Sequence, residues 1–145
     1  LSSMAVNNND IYTGSGGGGV FLSTNNGLNW TNVNNGLPSV INCLDANGAY
    51  VFAGTYNGVY YTTNRGLQWF AANNGLMDSS IFSIICIPGQ VFNNGIQWID
   101  VSSGLPEFTY ANNFCYYNSN IYAATSDGVF VSTNSGGSWE QRIAG

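Results

Sequence analysis

The chain has 145 residues, 44% of them hydrophobic and 14% aromatic, enough apolar mass for one packed domain rather than a disordered chain. Only 6% are charged, against about 25% in an ordinary soluble domain, and the net charge is −5 with no lysine and no histidine. With Arg65 and Arg142 as its whole basic complement, the chain cannot neutralise a phosphate backbone, which excludes nucleic acid and disfavours anionic membrane surfaces.

Leu1 opens on strand-like sequence with neither an initiator methionine nor a signal peptide, so a mature or partial product is expected. The apolar pair Ile11-Tyr12 leads into Gly14-Ser-Gly-Gly-Gly-Gly19. That segment formally satisfies the GxGxxG phosphate fingerprint, but neither a helical pattern nor a lysine follows it, and a glycine-rich hairpin is the better reading. Val20-Phe-Leu22 then runs into Ser23-Thr-Asn-Asn-Gly-Leu-Asn-Trp30 and Asn35-Gly36-Leu37. The next stretch spells out four strands: Ile41–Asp45, Tyr50–Thr55, Val59–Thr63 and Gln68–Ala72. Asn57-Gly58 between the second and third is predicted as a two-residue turn with positive φ at its centre, and Asp127-Gly128 repeats the signal. No apolar stretch, Ile81–Ile87 included, is long enough to cross a bilayer as a helix.

The same order of markers returns along the chain, which makes it a repeat protein. Thr62-Thr-Asn-Arg-Gly-Leu-Gln-Trp69, Val91-Phe-Asn-Asn-Gly-Ile-Gln-Trp98 and Ser132-Thr-Asn-Ser-Gly-Gly-Ser-Trp139 match the segment ending at Trp30. Those four tryptophans are all the chain has, spaced by 39, 29 and 41 residues. Asn74-Gly75-Leu76 and Ser103-Gly104-Leu105 match Asn35-Gly36-Leu37, so the repeats run over 1–36, 37–75, 76–104 and 105–145. The third is about eleven residues short between Ile81 and Trp98, and a segment missing from the second and third strands is the expected cause.

Consecutive apolar residues in Val51-Phe52, Val59-Tyr-Tyr61 and Val129-Phe-Val131 mean strands buried on both faces. The last strand, as in Trp139-Glu-Gln-Arg-Ile143, tends to alternate and should meet solvent. That gradient fits an all-β fold, a β-propeller of four-stranded antiparallel blades. Four blades are at the small end of the range, so part of a larger propeller is expected, with a closed four-bladed ring as the alternative.

The tryptophan segments resemble the Asp-box, or BNR repeat, Ser-x-Asp-x-Gly-x-Thr-Trp. That motif is found in propeller blades of sialidases, xyloglucanase-type glycoside hydrolases, sortilin-like receptors and secreted bacterial repeat proteins. The resemblance implies turns between third and fourth strands built on Asn25, Gly27 and Trp30; Asn64, Gly66 and Trp69; Asn93, Gly95 and Trp98; and Asn134, Gly136 and Trp139. It implies that the Asp-position side chain accepts N–H groups of its own turn while the tryptophan packs into the blade. Asparagine fills the Asp position every time; its amide oxygen can make the same bonds uncharged, and calcium binding there is not expected.

Little catalytic chemistry is on offer. Without histidine there is no Ser-His or Cys-His pair and no histidine metal site, so neither metal nor cofactor is expected. Cys43, Cys86 and Cys115 are odd in number, lie in strand-like apolar sequence and read as inert buried thiols. Two arginines, one in a tryptophan turn and one on an outer strand, cannot form the arginine cluster that the resemblance would require of a sialidase. A glycosidase needs two carboxylates about 5–10 Å apart, for which Asp78, Glu107 and Asp127 on one rim are the candidates. Asn, Ser, Thr, Gly and Tyr loops suit uncharged polar ligands, with Tyr56 and Asn57 best placed for a glycan. Asn29-Trp30-Thr31 matches a glycosylation sequon inside the first turn and carries little weight. The expected role is non-enzymatic binding, adhesion or scaffolding outside the cell or at its surface, with glycans, protein surfaces or sister subunits as partners. A fragment of a glycoside hydrolase is the alternative.

Overall fold

The computed structural model describes residues 1–76, 79–88, 98, 101–107 and 109–142. Among them are twelve strands and no helix. β1 (Ser3–Asn7), β2 (Asp10–Ser15), β3 (Gly19–Ser23) and β4 (Thr31–Asn32) form one antiparallel sheet in sequence order. β5 (Cys43–Asn47), β6 (Tyr50–Thr55), β7 (Gly58–Thr62) and β8 (Phe70–Ala71) form a second, and β9 (Ala111–Tyr117), β10 (Asn120–Thr125), β11 (Gly128–Ser132) and β12 (Glu140–Arg142) a third. These four-stranded meanders are β-propeller blades. The chain divides into two compact units, Leu1–Trp98 with the first two blades and Ile99–Gly145 with the blade of β9 to β12.

In the second repeat the inner strand starts two residues later than the sequence predicted and the outer strand shrinks to Phe70–Ala71. The outer strands do not alternate: Thr31, Asn32, Phe70, Ala71 and Glu140–Arg142 are all exposed. A strand paired on one side only gains too little from burial to extend further. The hairpin also differs from expectation. Thr55 pairs with Gly58, so the loop residues are Tyr56 and Asn57, and positive φ falls on Gly58 alone. Thr55 sets this turn, its Oγ1 accepting from Asn57 N at 2.9 Å and donating to Gly58 O at 2.9 Å. Thr125 does the same for Asp127 and Gly128.

Within the first unit, the core between blades joins Ala5, Tyr12, Val20 and Leu22 of the first blade to Leu44, Val51, Ala53 and Trp69 of the second. A further cluster packs Phe52, Val59 and Ala72 against Ile81, Ile84, Cys86 and Trp98. Alternation puts Val51 and Ala53 on one face of β6 and Phe52 on the other, so each inner strand serves two layers.

Beyond packing on its own blade, as Trp69 does in the core with Leu44 and Val51 and Trp139 does on Phe114, the tryptophan of a repeat clamps the repeat before it. Trp69 Nε1–H donates to Val33 O at 2.7 Å and its backbone N–H to Asn35 O at 2.9 Å. Trp98 does likewise to Ala72 O and Asn74 O, and Trp139 to Val101 O and Ser103 O. The glycine of each Asn-Gly-Leu or Ser-Gly-Leu marker lies under the clamp. A Cβ on Gly36, at φ +90°, would stand 2.5 Å from Trp69 O. Trp30 is the exception: its indole N–H donates to Gly27 O of its own turn, and it is 40% exposed where Trp69 is 2%.

Trp69→Ala should therefore lower the unfolding free energy by about 3–5 kcal/mol. Trp30→Ala should cost about 1 kcal/mol or less. Denaturant titration of both variants checks the contrast, and equal losses would contradict the clamp.

Candidate functional site

In each unit one rim gathers the turns between second and third strands with the linkers that lead from one repeat to the next. In the first unit Gly58 N–H donates to Ser79 O at 2.6 Å and Ile81 N–H to Thr55 O at 2.8 Å. The amide oxygen of Asn73 on the outgoing linker accepts from Val59 N at 2.8 Å, as Asn34 does from Val20 N at 2.6 Å. In the second unit Tyr110 and Ser126 exchange bonds, Ser126 N–H to Tyr110 O and Tyr110 N–H to Ser126 Oγ.

On the rim of the first unit Tyr56 meets Phe82 edge-on, with ring centroids 5.8 Å apart and planes at 80°. Both rings are more than half exposed, and Asn57 beside them is exposed too. Phe82 was not singled out from the sequence, where it stands within the apolar stretch Ile81–Ile87. Its exposure follows from the link to Thr55, which turns Ile81 inward and leaves Phe82 outward.

The acidic candidates divide. Asp78 lies outside the described residues. Asp127 Oδ2 accepts from Thr109 Oγ1 at 2.6 Å and Ser126 Oγ at 3.2 Å, so its carboxylate braces the turn against the linker. Glu107 is exposed in the turn that leads into that linker.

Other carboxylates hold structure together. Asp10 is buried and pairs through Oδ2 with Arg65 Nε at 2.7 Å, tying the first blade to the tryptophan turn of the second. That pairing occupies the one arginine lining a cleft of about 310 Å³ between Leu22, Asn25, Val33, Asn64 and Leu67. Burial, and then the Asp10 carboxylate, push the Tyr12 phenol upward. Asp45 accepts from Ala46 N at 2.8 Å and Cys86 N at 2.7 Å. Among the described residues no three His, Cys, Asp or Glu side chains cluster as a metal site would need.

The tryptophan turns are built by asparagine oxygens. Asn25 Oδ1 accepts from Asn29 N and the Ser23 hydroxyl, while Gly27 N–H donates to Ser23 Oγ. Asn64 with Thr62, Gly66 and Gln68 repeats this geometry, as does Asn134 with Ser132, Gly136 and Ser138. Asn93 and Gly95 lie outside the described residues. Gly66 and Gly136 pack on Val33 and Val101, beside the carbonyls that the following tryptophans use.

No protein-family model and no curated protein matches the sequence. Among solved structures, an ancestral GH74 enzyme is similar over 99% of this chain and 24% of its own, with a TM-score of 0.71 and 22% identity. YCF48 bound to D1 peptide is similar over 97% of this chain and 52% of its own, with a TM-score of 0.55 and 13% identity. The chain thus spans about a quarter of the first and half of the second. At these identities the likeness establishes the propeller fold and nothing finer.

The thiols split where the sequence grouped them together. Burial pushes Cys43 up to about 11, and burial with the Asp45 carboxylate pushes Cys86 up to about 12, so both stay protonated and inert at neutral pH. Cys115 is instead exposed on β9, on the side away from the buried Ile121 and Ala123, which corrects the expectation of a buried residue. A disulfide reagent at pH 8 should titrate one thiol per native chain and three in denaturant. Rapid native labelling of all three would refute the assigned environments.

Proposed function

We propose that the chain is a non-enzymatic binding or scaffold module of extracellular or cell-surface type, made of Asp-box-like blades, whose rim recognises an uncharged ligand. The observation that carries this reading is the exposed Tyr56–Phe82 pair on the rim of the first unit, with the exposed Asn57 beside it. Aromatic faces pack against the C–H face of a sugar ring or a peptide side chain, and neighbouring amides and hydroxyls bond uncharged polar groups. The Asp-box assignment is supported by the turn bonds of Asn25, Asn64 and Asn134. It brings with it the secreted localisation and the four-repeat division. A protein ligand is supported by the likeness to YCF48, which was solved with a peptide bound. The non-enzymatic reading is supported by Asp10, Asp45 and Asp127 each being engaged in holding the blades.

The second reading, a piece of a glycoside hydrolase with a carboxylate pair, is favoured by the likeness to the GH74 enzyme and the exposed Glu107 of the second unit.

Glycan and peptide panels probed with the wild-type chain should return a ligand. The Tyr56→Ala, Phe82→Ala double variant should bind it at least about 30-fold more weakly, roughly 2 kcal/mol, with an unchanged melting temperature. Undiminished affinity would refute the rim assignment. Glycosidic turnover by the wild type that Glu107→Gln abolishes would establish the second reading instead.

A further inference from the structure

Within the Leu1–Trp98 unit, a cleft of about 180 Å³ lies between the first two blades. It stands at the end of the blades opposite the Tyr56 turn, where the β1–β2 turn meets the tryptophan turn of the second blade. Asn7, Asn8, Asp10 and Tyr12 line it from the first blade, Thr63 and Arg65 from the second. Two of these side chains are buried yet incompletely bonded. The Tyr12 ring sits in the core with Val20, Leu44 and Val51 and is 1% exposed, but its hydroxyl has no hydrogen-bond partner among the described residues. Asp10 is 7% exposed and gives Oδ2 to Arg65 Nε at 2.7 Å, while Oδ1 has no such partner among the described residues. Among those residues no side-chain oxygen or nitrogen sealed from solvent goes unbonded, so both oxygens reach the cleft. A buried phenol ordinarily ends on a hydrogen-bond partner, and an unpartnered one aimed into a polar cleft points to a ligand.

We propose that this cleft binds a single sugar ring through a vicinal diol. The charges select a neutral ligand, since an anion would face the Asp10 carboxylate and a cation the Arg65 guanidinium. The donors and acceptors select hydroxyls. Asp10 Oδ1 accepts, Arg65 keeps its Nη groups as donors once Nε is used, and the phenol can do both. Burial, and then the Asp10 carboxylate, push the phenol upward, so it keeps its proton to donate. Adjacent hydroxyls on one ring match that set, with a proton for the carboxylate and oxygens for the guanidinium and the phenol. Asn8 and Asn7, joined by a side-chain bond of 3.3 Å, and the exposed Thr63 add further uncharged groups to the lining. The volume suits one ring rather than a chain of them. This site is separate from the Tyr56–Phe82 pair, so it stands or falls independently of the ligand proposed there.

NMR titration of the 145-residue chain with free glucose, galactose, mannose, fucose and xylose, and with their methyl glycosides, tests the proposal. At least one of these sugars should bind with a Kd of about 10 mM or tighter. Binding should shift the Tyr12 Cζ resonance, which reports the hydrogen bonding of its hydroxyl. Tyr12→Phe removes only that hydroxyl, so the variant should keep the wild-type melting temperature and bind the sugar about tenfold more weakly or worse. Asp10→Asn should weaken binding as well, and if it fails to fold, Tyr12→Phe alone decides. Tyr56→Ala with Phe82→Ala should leave this binding unchanged. Methyl glycosides that bind as tightly as the free sugars would assign the ligand to the end of a glycan, and binding by the free sugars alone to a soluble monosaccharide; both support the site. A panel in which nothing binds, binding that Tyr12→Phe leaves intact, or binding that the Tyr56 and Phe82 double variant abolishes would each overturn it.

Discussion

The tryptophan clamp is the constraint on which the rest of this structure depends. A four-stranded sheet of short strands has two apolar faces and cannot bury either alone, so a blade is stable only against its neighbours. The chain meets that need with one repeated device. An indole from the turn between third and fourth strands reaches back to the preceding repeat, where its N–H and the backbone N–H both find carbonyls. The indole also fills the space between sheets, as Trp69 does in the core shared by the first two blades. Polar satisfaction and apolar burial are thus fixed by the same side chain.

This device explains the low charge of the chain. A strand buried on both faces, such as β6, has little place for ionic groups, and the two carboxylates that do lie on β2 and β5, Asp10 and Asp45, are held by Arg65 and by backbone N–H groups. The turns that carry the clamp could use a carboxylate, but an asparagine oxygen makes the same bonds without the cost of holding an anion near other acceptors. On the rim of the first unit Tyr56, Asn57 and Phe82 stand exposed. Such a surface favours contacts by shape and neutral hydrogen bonds over steering by charge.

Much of this was legible in the sequence because repeats amplify weak signals. The runs Val20-Phe-Leu22, Val59-Tyr-Tyr61 and Val129-Phe-Val131 located the third strands, and the tryptophan spacing located the blades. Other features were not legible because they depend on what lies across the interface. Nothing local separates Trp30 from Trp69; what differs is the carbonyl each indole meets, Gly27 O of its own turn against Val33 O of the preceding repeat. Cys115 reads like Cys43 in composition, yet it is exposed where Cys43 is buried. The Tyr56-Asn57 hairpin was misplaced by one residue because Asn-Gly is a strong turn signal, whereas Thr55 sets the turn. Phe82 was hidden in an apolar run whose register only the link to Thr55 decides.

The clamp is tested most directly by hydrogen exchange of the four indole N–H groups, followed by NMR on dilute protein. The structure predicts that Trp69, Trp98 and Trp139, whose indoles donate to the preceding repeat, exchange more slowly than Trp30 by about 100-fold or more. Four indoles exchanging at similar rates would contradict it.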